Sequence, residues 1–82
     1  MQRNDILERV SQIFEDLFGL DRSEVTPQTS PDTVDNWLSL QHLHLIAAVE
    51  ETFEIVLTPE EQSEMLSVEL ILGILEARVG SN

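Results

Sequence analysis

Ile6, Val10, Ile13, Phe14 and Leu17 recur at spacings of three and four, with Glu8, Arg9, Gln12, Glu15 and Asp16 between them. On a helix of 3.6 residues per turn this pattern gathers the apolar side chains into one stripe, which other elements must cover. The chain has 82 residues with which to cover it. Surface scaling for a chain of this mass gives a folded area of roughly 5,000 Å², enough for one modest core and no second. With no cysteine, neither disulfides nor thiolate-bound metal can supplement that core, so stability must come from packing. A single domain over residues 1–82 is expected.

The punctuation of the chain marks further helices. Asn4 or Asp5 can cap the first, and Gly19 ends it. Residues 19–37 hold Pro27, Pro31, several Thr, Ser and Asp residues, and isolated apolar anchors at Leu20, Val25 and Val34. That reads as a long loop crossing the bundle with Val25 and Val34 turned inward, and loops of this length are more often functional than decorative. A second helix is expected from Ser39 to Phe53, on the strength of Leu40, Leu43, Ile46, Ala47, Val49 and Phe53. Thr58-Pro59-Glu60-Glu61 combines an N-cap, a proline at the first helical position and a capping box. The short third helix it opens runs out near Leu66. Ser67 can cap a fourth helix carrying Leu70, Ile71, Ile74, Leu75 and Val79, before Gly80 and a polar tail. Ile55-Val56-Leu57 is a β-prone connector, and no run alternates long enough for a sheet. The expected fold is all-α: a bundle of three longer helices and one short one, with a long loop between the first and second.

Charge narrows the partners. Sixteen carboxylates against four arginines and no lysine leave a net charge of -12. Arg3, Arg9, Arg22 and Arg78 are scattered, whereas phosphate backbones and anionic bilayers require clustered cations, so binding to nucleic acid or membrane surface is not expected. The field favours basic protein surfaces, attracts Mg²⁺ or Ca²⁺ weakly and territorially, and sets copies of the chain against one another, so a monomer is expected. Met1-Gln2-Arg3-Asn4-Asp5 leads into charged sequence, and no apolar run approaches the roughly 18 residues of a membrane span. A cytoplasmic location is the corresponding expectation.

Catalytic equipment is sparse: no Cys nucleophile, no Lys for a Schiff base, no Gly-rich phosphate loop and two histidines. Ser39 and His42, three apart on one helix, imitate a nucleophile and its base, but no carboxylate is placed to orient the imidazole. His42 and His44 are two apart, diverge on a helix, and read as solvated. Glu50-Glu51-Glu54 and Glu60-Glu61-Glu64 lack the alternating ligands and central glycine of an EF-hand and read as wet helix faces. Ser39 lies just past the long loop at the start of an apolar helix. There, free backbone N–H groups and the positive end of the helix dipole tolerate an attached anion. An N-cap role would explain the same residue type.

Trp37-Leu38-Ser39-Leu40, followed by Leu43, Leu45-Ile46, Val49-Glu50-Glu51 and Phe53, resembles the signature helix of acyl carrier proteins. The order and lengths of the surrounding segments resemble that family over nearly the whole chain. The resemblance implies a non-catalytic carrier. Ser39 would receive 4′-phosphopantetheine from coenzyme A through a Mg²⁺-dependent phosphopantetheinyl transferase, and the arm's thiol would hold acyl groups as thioesters. Trp37, Leu38 and Leu40 would be the neighbours of the attachment point. Gln41, His44, Glu50 and Glu51 would face partner enzymes, namely synthases, ligases or acyl-transferring enzymes with basic docking surfaces. Leu40, Leu43, Ile46, Ala47 and Phe53 would line an acyl chain or simply form core.

The family's usual Asp-Ser-Leu triplet here has Leu38 in place of the aspartate, which removes a helix-dipole interaction of about 0.3–1 kcal/mol. A divergent carrier that is still modified, a carrier that has lost modification, and an engineered exchange all fit that departure. Gln41, His42 and His44 also stand where the family's helix is typically acidic, which implies a specialised carrier in fatty-acid, polyketide or related biosynthesis. The alternative is an unmodified, carrier-like helical docking domain in which Ser39 is only a cap.

Overall fold

The computed structural model describes residues 2–80; Met1 and the polar tail at 81–82 lie outside the described residues. Four α-helices follow one another: α1 (Arg3–Phe18), α2 (Ser39–Phe53), α3 (Pro59–Glu64) and α4 (Val68–Val79), with one 3-10 turn at Arg22–Glu24 between α1 and α2. The bundle of three longer helices and one short one is therefore present, and α2 has the limits its sequence predicts. α1 starts two to three residues earlier than expected. Its N-cap is Gln2, which makes no side-chain cap, so neither Asn4 nor Asp5 serves there. Gly19 ends it in the left-handed conformation at φ 71°, with its N–H donating to the Glu15 carbonyl.

α1 packs against both α2 and α4, and α3 packs against α4. Ile6, Val10 and Phe14 from α1 meet Leu45 and Val49 from α2 and Val68, Ile71, Leu72 and Leu75 from α4, all at or near zero exposure. The folded surface of 4942 Å² matches the area expected from mass alone. Phe14, Phe18 and Trp37 cluster with ring centroids 5.2–5.7 Å apart, Phe14 meeting Trp37 edge-on at 81°.

The long loop is tied down. Val25 and Val34 are buried, as their isolation among polar residues predicts. The first N–H groups of α4 find acceptors on the loop: Val68 donates to the Thr29 carbonyl at 2.8 Å and Glu69 to that of Pro27 at 2.9 Å. Helix-start donors that have no intrahelical partner thus hold the crossing chain in place. The hydroxyl of buried Thr29 accepts from the Thr26 N–H at 3.0 Å and donates to the Glu24 carbonyl at 3.3 Å, so no polar group is stranded beneath the loop.

α3 and α4 start as their sequences predict. Thr58 and Glu61 exchange side-chain-to-backbone bonds of 2.9 and 3.1 Å around Pro59, and Ser67 accepts from the Leu70 N–H at 3.1 Å. Arg78, near the end of α4, reaches Glu61 and the Val56 carbonyl, joining the end of α4 to the start of α3.

Candidate functional site

Ser39 is the first residue of α2, and Leu38 is the N-cap, in extended backbone with no side-chain cap. The serine is therefore not the cap residue itself. It is exposed, its hydroxyl has no hydrogen-bond partner among the described residues, and the first intrahelical bond runs from the His42 N–H to the Leu38 carbonyl at 2.8 Å. The N–H groups of Ser39, Leu40 and Gln41 precede that bond and remain open. No acidic side chain occupies the first turn of α2, so in this strongly anionic protein the start of the helix is neutral.

Beside Ser39 lies an open groove of about 420 Å³ lined by Pro31, Trp37, Leu38, His42, Leu43 and Leu66 as well as the serine. No carboxylate borders it. Leu38, Leu43 and Leu66 are 69%, 60% and 55% exposed, an unusual concentration of apolar surface on so small a body. Trp37 forms the floor and is itself buried.

His42 closes one side of this groove. The indole N–H of Trp37 donates to His42 Nδ1 at 2.9 Å, and His42 Nε2 lies 3.0 Å from the Gln62 carbonyl. The indole can only donate, so Nδ1 is the acceptor and the neutral ring carries its proton on Nε2, aimed at Gln62. Gln62 lies near the C-terminus of the six-residue α3, where its carbonyl accepts a long 3.5 Å bond from the Met65 N–H and has a lone pair left for the imidazole. The expectation that His42 is solvated is thus corrected: it is half-buried and bridges the loop, α2 and α3. With both ring nitrogens engaged it has none left to activate Ser39, which removes the serine–histidine pairing.

The inner face of α2 also differs from expectation. Ile46 and Phe53 are buried, but Leu40, Leu43 and Ala47 are exposed, and Leu45, not expected inside, is wholly buried beside Val49. The α2 sequence is apolar on nearly every side, so spacing could not choose the face that meets α1. Leu70 of α4 is likewise outside, at 48% exposure, with Leu72 taking the interior.

The four residues expected to face partners divide in two. His44 and Glu51 are exposed, His44 Nδ1 lying 2.8 Å from the Gln41 side-chain oxygen. Gln41 is half-buried and donates to the Leu17 carbonyl at 3.2 Å. Half-buried Glu50 accepts from the Leu57 N–H at 2.9 Å and so shapes the connector that leads to α3. Among the described residues no cluster of His, Cys, Asp or Glu has the form of a metal site, and no helix is long and apolar enough to cross a membrane.

An acyl carrier protein of Rubrobacter xylanophilus is 36% identical over 69 residues, covering 84% of this chain and 85% of the relative. A second, of Thermosynechococcus vestitus, is 31% identical over 81 residues, 99% of this chain and 100% of the relative. The chain belongs to the acyl carrier protein family. No family model matches it. Acyl carrier proteins are carriers and not catalysts, in keeping with a site that has an exposed hydroxyl and no base to activate it. Trp37 was expected beside Ser39, but its bond to His42 and the reach of His42 to Gln62 form the part of the site that residue spacing missed. The one available signal was an isolated tryptophan five residues before a histidine, which becomes meaningful only once α3 is in place.

Proposed function

We propose that the protein carries acyl groups as thioesters on a 4′-phosphopantetheine arm esterified to Ser39. The observation that carries this reading is an exposed hydroxyl without a hydrogen bond, at the first position of a 15-residue helix, in a member of this family. The surroundings fit the group. Its phosphodiester would meet the open N–H groups of the first turn and the positive end of the helix dipole, with no carboxylate there to repel it. When attached, the arm supplies the thiol on which the acyl group rides.

The protein's own contribution is presentation. Buried Trp37 and the bonded His42 fix the backbone on either side of Ser39, so the attachment point sits on a rigid part of the bundle. The acidic body favours brief association with basic surfaces of a phosphopantetheinyl transferase and of synthases, ligases or other acyl-transferring enzymes. His44 and Glu51 are the expected contacts on α2. The neutral first turn supports a specialised carrier in fatty-acid, polyketide or related biosynthesis, working in the cytoplasm as a monomer.

The test is intact mass before and after incubation with coenzyme A, Mg²⁺ and a broad-specificity phosphopantetheinyl transferase. A gain of one phosphopantetheine, absent in Ser39→Ala, is expected. A folded sample that gains nothing, beside a control carrier that reacts, would replace the carrier reading with that of an unmodified docking domain.

A further inference from the structure

We propose that the cargo end of the arm rests outside the bundle, in the apolar groove bounded by Trp37, Leu38, Leu43 and Leu66, because His42 bars the seam between α2 and α3. The inference rests on Ser39 as the attachment point.

Three observations carry it. First, the groove starts at Ser39 itself, so anything tethered to that hydroxyl reaches the groove at a high effective concentration. At about 420 Å³ it lies in the size range of small-molecule sites. Second, its walls match an uncharged occupant. Three exposed leucines and a proline border it, and both nitrogens of His42 are already bonded, so that ring offers no free polar group. In a protein of net charge -12 it is a carboxylate-free patch, which suits a neutral alkyl and amide chain better than a basic partner surface or a second anionic copy.

Third, the alternative resting place is closed. The interior lined by Val49, Leu57, Met65, Ile71, Ile74 and Leu75 has no room for a water molecule. To enter between α2 and α3 a chain must pass the His42–Gln62 contact at 3.0 Å, which the Trp37 indole holds from the far side. The outer groove requires no bond to break.

The experiment loads Ser39 with a ¹³C-labelled hexanoyl arm from hexanoyl-coenzyme A, verifies the load by intact mass, and records nuclear Overhauser contacts from the label to protein methyl groups. Contacts to the methyls of Leu43 and Leu66 are expected, and, both positions being exposed, Leu43→Ser should weaken the contact to the Leu66 methyls and Leu66→Ser that to the Leu43 methyls. Contacts to Val49, Ile71 or Leu75 instead, or no methyl contacts at all, would overturn the proposal. Failure to load overturns the attachment reading beneath it and is seen separately in the mass. His42→Ala removes the bar, so its contacts should move inward to Val49 and Leu75. A folded variant with the wild-type contacts would show that His42 does not bar the seam.

Discussion

The rings of Trp37 and His42 lie edge to edge in nearly one plane, with centroids 6.2 Å apart and planes 19° from parallel, and the indole N–H donates to His42 Nδ1 at 2.9 Å. Trp37 is almost wholly buried, so His42 is the partner that satisfies a donor cut off from water. The histidine's second bond, to the Gln62 carbonyl, makes the same side chain a strut from α2 to α3. A residue three positions after the candidate attachment serine therefore holds the site's floor and one wall.

Replacing His42 with alanine strands the indole N–H and leaves the Gln62 carbonyl with the long Met65 N–H bond of 3.5 Å. An unpaired buried polar group costs about 1–3 kcal/mol, and that range is the expected loss of stability in urea unfolding. Trp37→Phe in the His42→Ala background should cost less than in the wild type, because the donor it removes is already unpaired. Additive losses in this double-mutant cycle would show that the 2.9 Å bond contributes nothing.

Leu38→Asp should stabilise the protein. Leu38 occupies the N-cap of α2 in extended backbone, is 69% exposed, and satisfies none of the open N–H groups beyond it. An aspartate there accepts from the first turn, and a good N-cap contributes about 0.5–2 kcal/mol, readable as a higher melting temperature. Arm transfer to Ser39 should also become faster. An unchanged transfer rate would show that Leu38 does not limit modification.

Two helix ends take the left-handed conformation with unequal ease. Gly19 at φ 71° has nothing within 4 Å of a would-be Cβ, so Gly19→Ala tests backbone strain alone and should cost about 1–2 kcal/mol. Glu54 ends α2 at φ 56° with a side chain present, so Glu54→Gly should gain about 1 kcal/mol. Denaturation midpoints that move in the same direction for both variants would contradict this account.

The Arg78 guanidinium, followed by the Thr58 N–H, holds the Glu61 carboxyl below its ordinary value of 4.5. The unfolded chain therefore binds this proton more readily than the folded one, and stability rises with pH across the interval between the two values. The contribution is complete above the ordinary value and is lost as pH falls through the lower, folded one. Melting temperatures from pH 7 down to pH 3 should show a shallower acid decline in Glu61→Gln than in the wild type. Equal slopes would mean the contact with Arg78 is too solvent-screened to matter.

The net charge of -12 predicts that millimolar Mg²⁺ raises the melting temperature at low salt. With no compact ligand cluster among the described residues, the rise should be gradual and largely reproduced by NaCl at matched ionic strength. A melting temperature indifferent to divalent cations would show that self-repulsion is unimportant here.

Most of the fold is a matter of local chemistry and so could be read along the chain. Gly19, Thr58 with Pro59 and Glu61, and Ser67 act on groups within four residues of themselves, and each does what its residue type predicts. Val25 and Val34 stood alone among polar neighbours, which left burial as their one use. Ser39 was legible for the same reason, as a polar residue at the boundary of loop and helix.

The faces of α2 and the environment of His42 belong to the tertiary structure. Along α2, leucine, isoleucine, valine and alanine occur on nearly every side, so several rotations of the helix bury similar apolar area. Packing against α1 selects Leu45 and Val49 and leaves Leu40, Leu43 and Ala47 outside. The partners of His42 lie five residues before it and twenty after it, on separate elements. Sequence by itself determined where α1 stops, where α2, α3 and α4 start and that the body is acidic, because capping and charge act locally or by simple summation; the start of α1, which has no side-chain cap, was not legible. Only the folded bundle decided which leucines border Ser39 and which imidazole nitrogen is protonated, because both depend on contacts between elements that are distant in sequence.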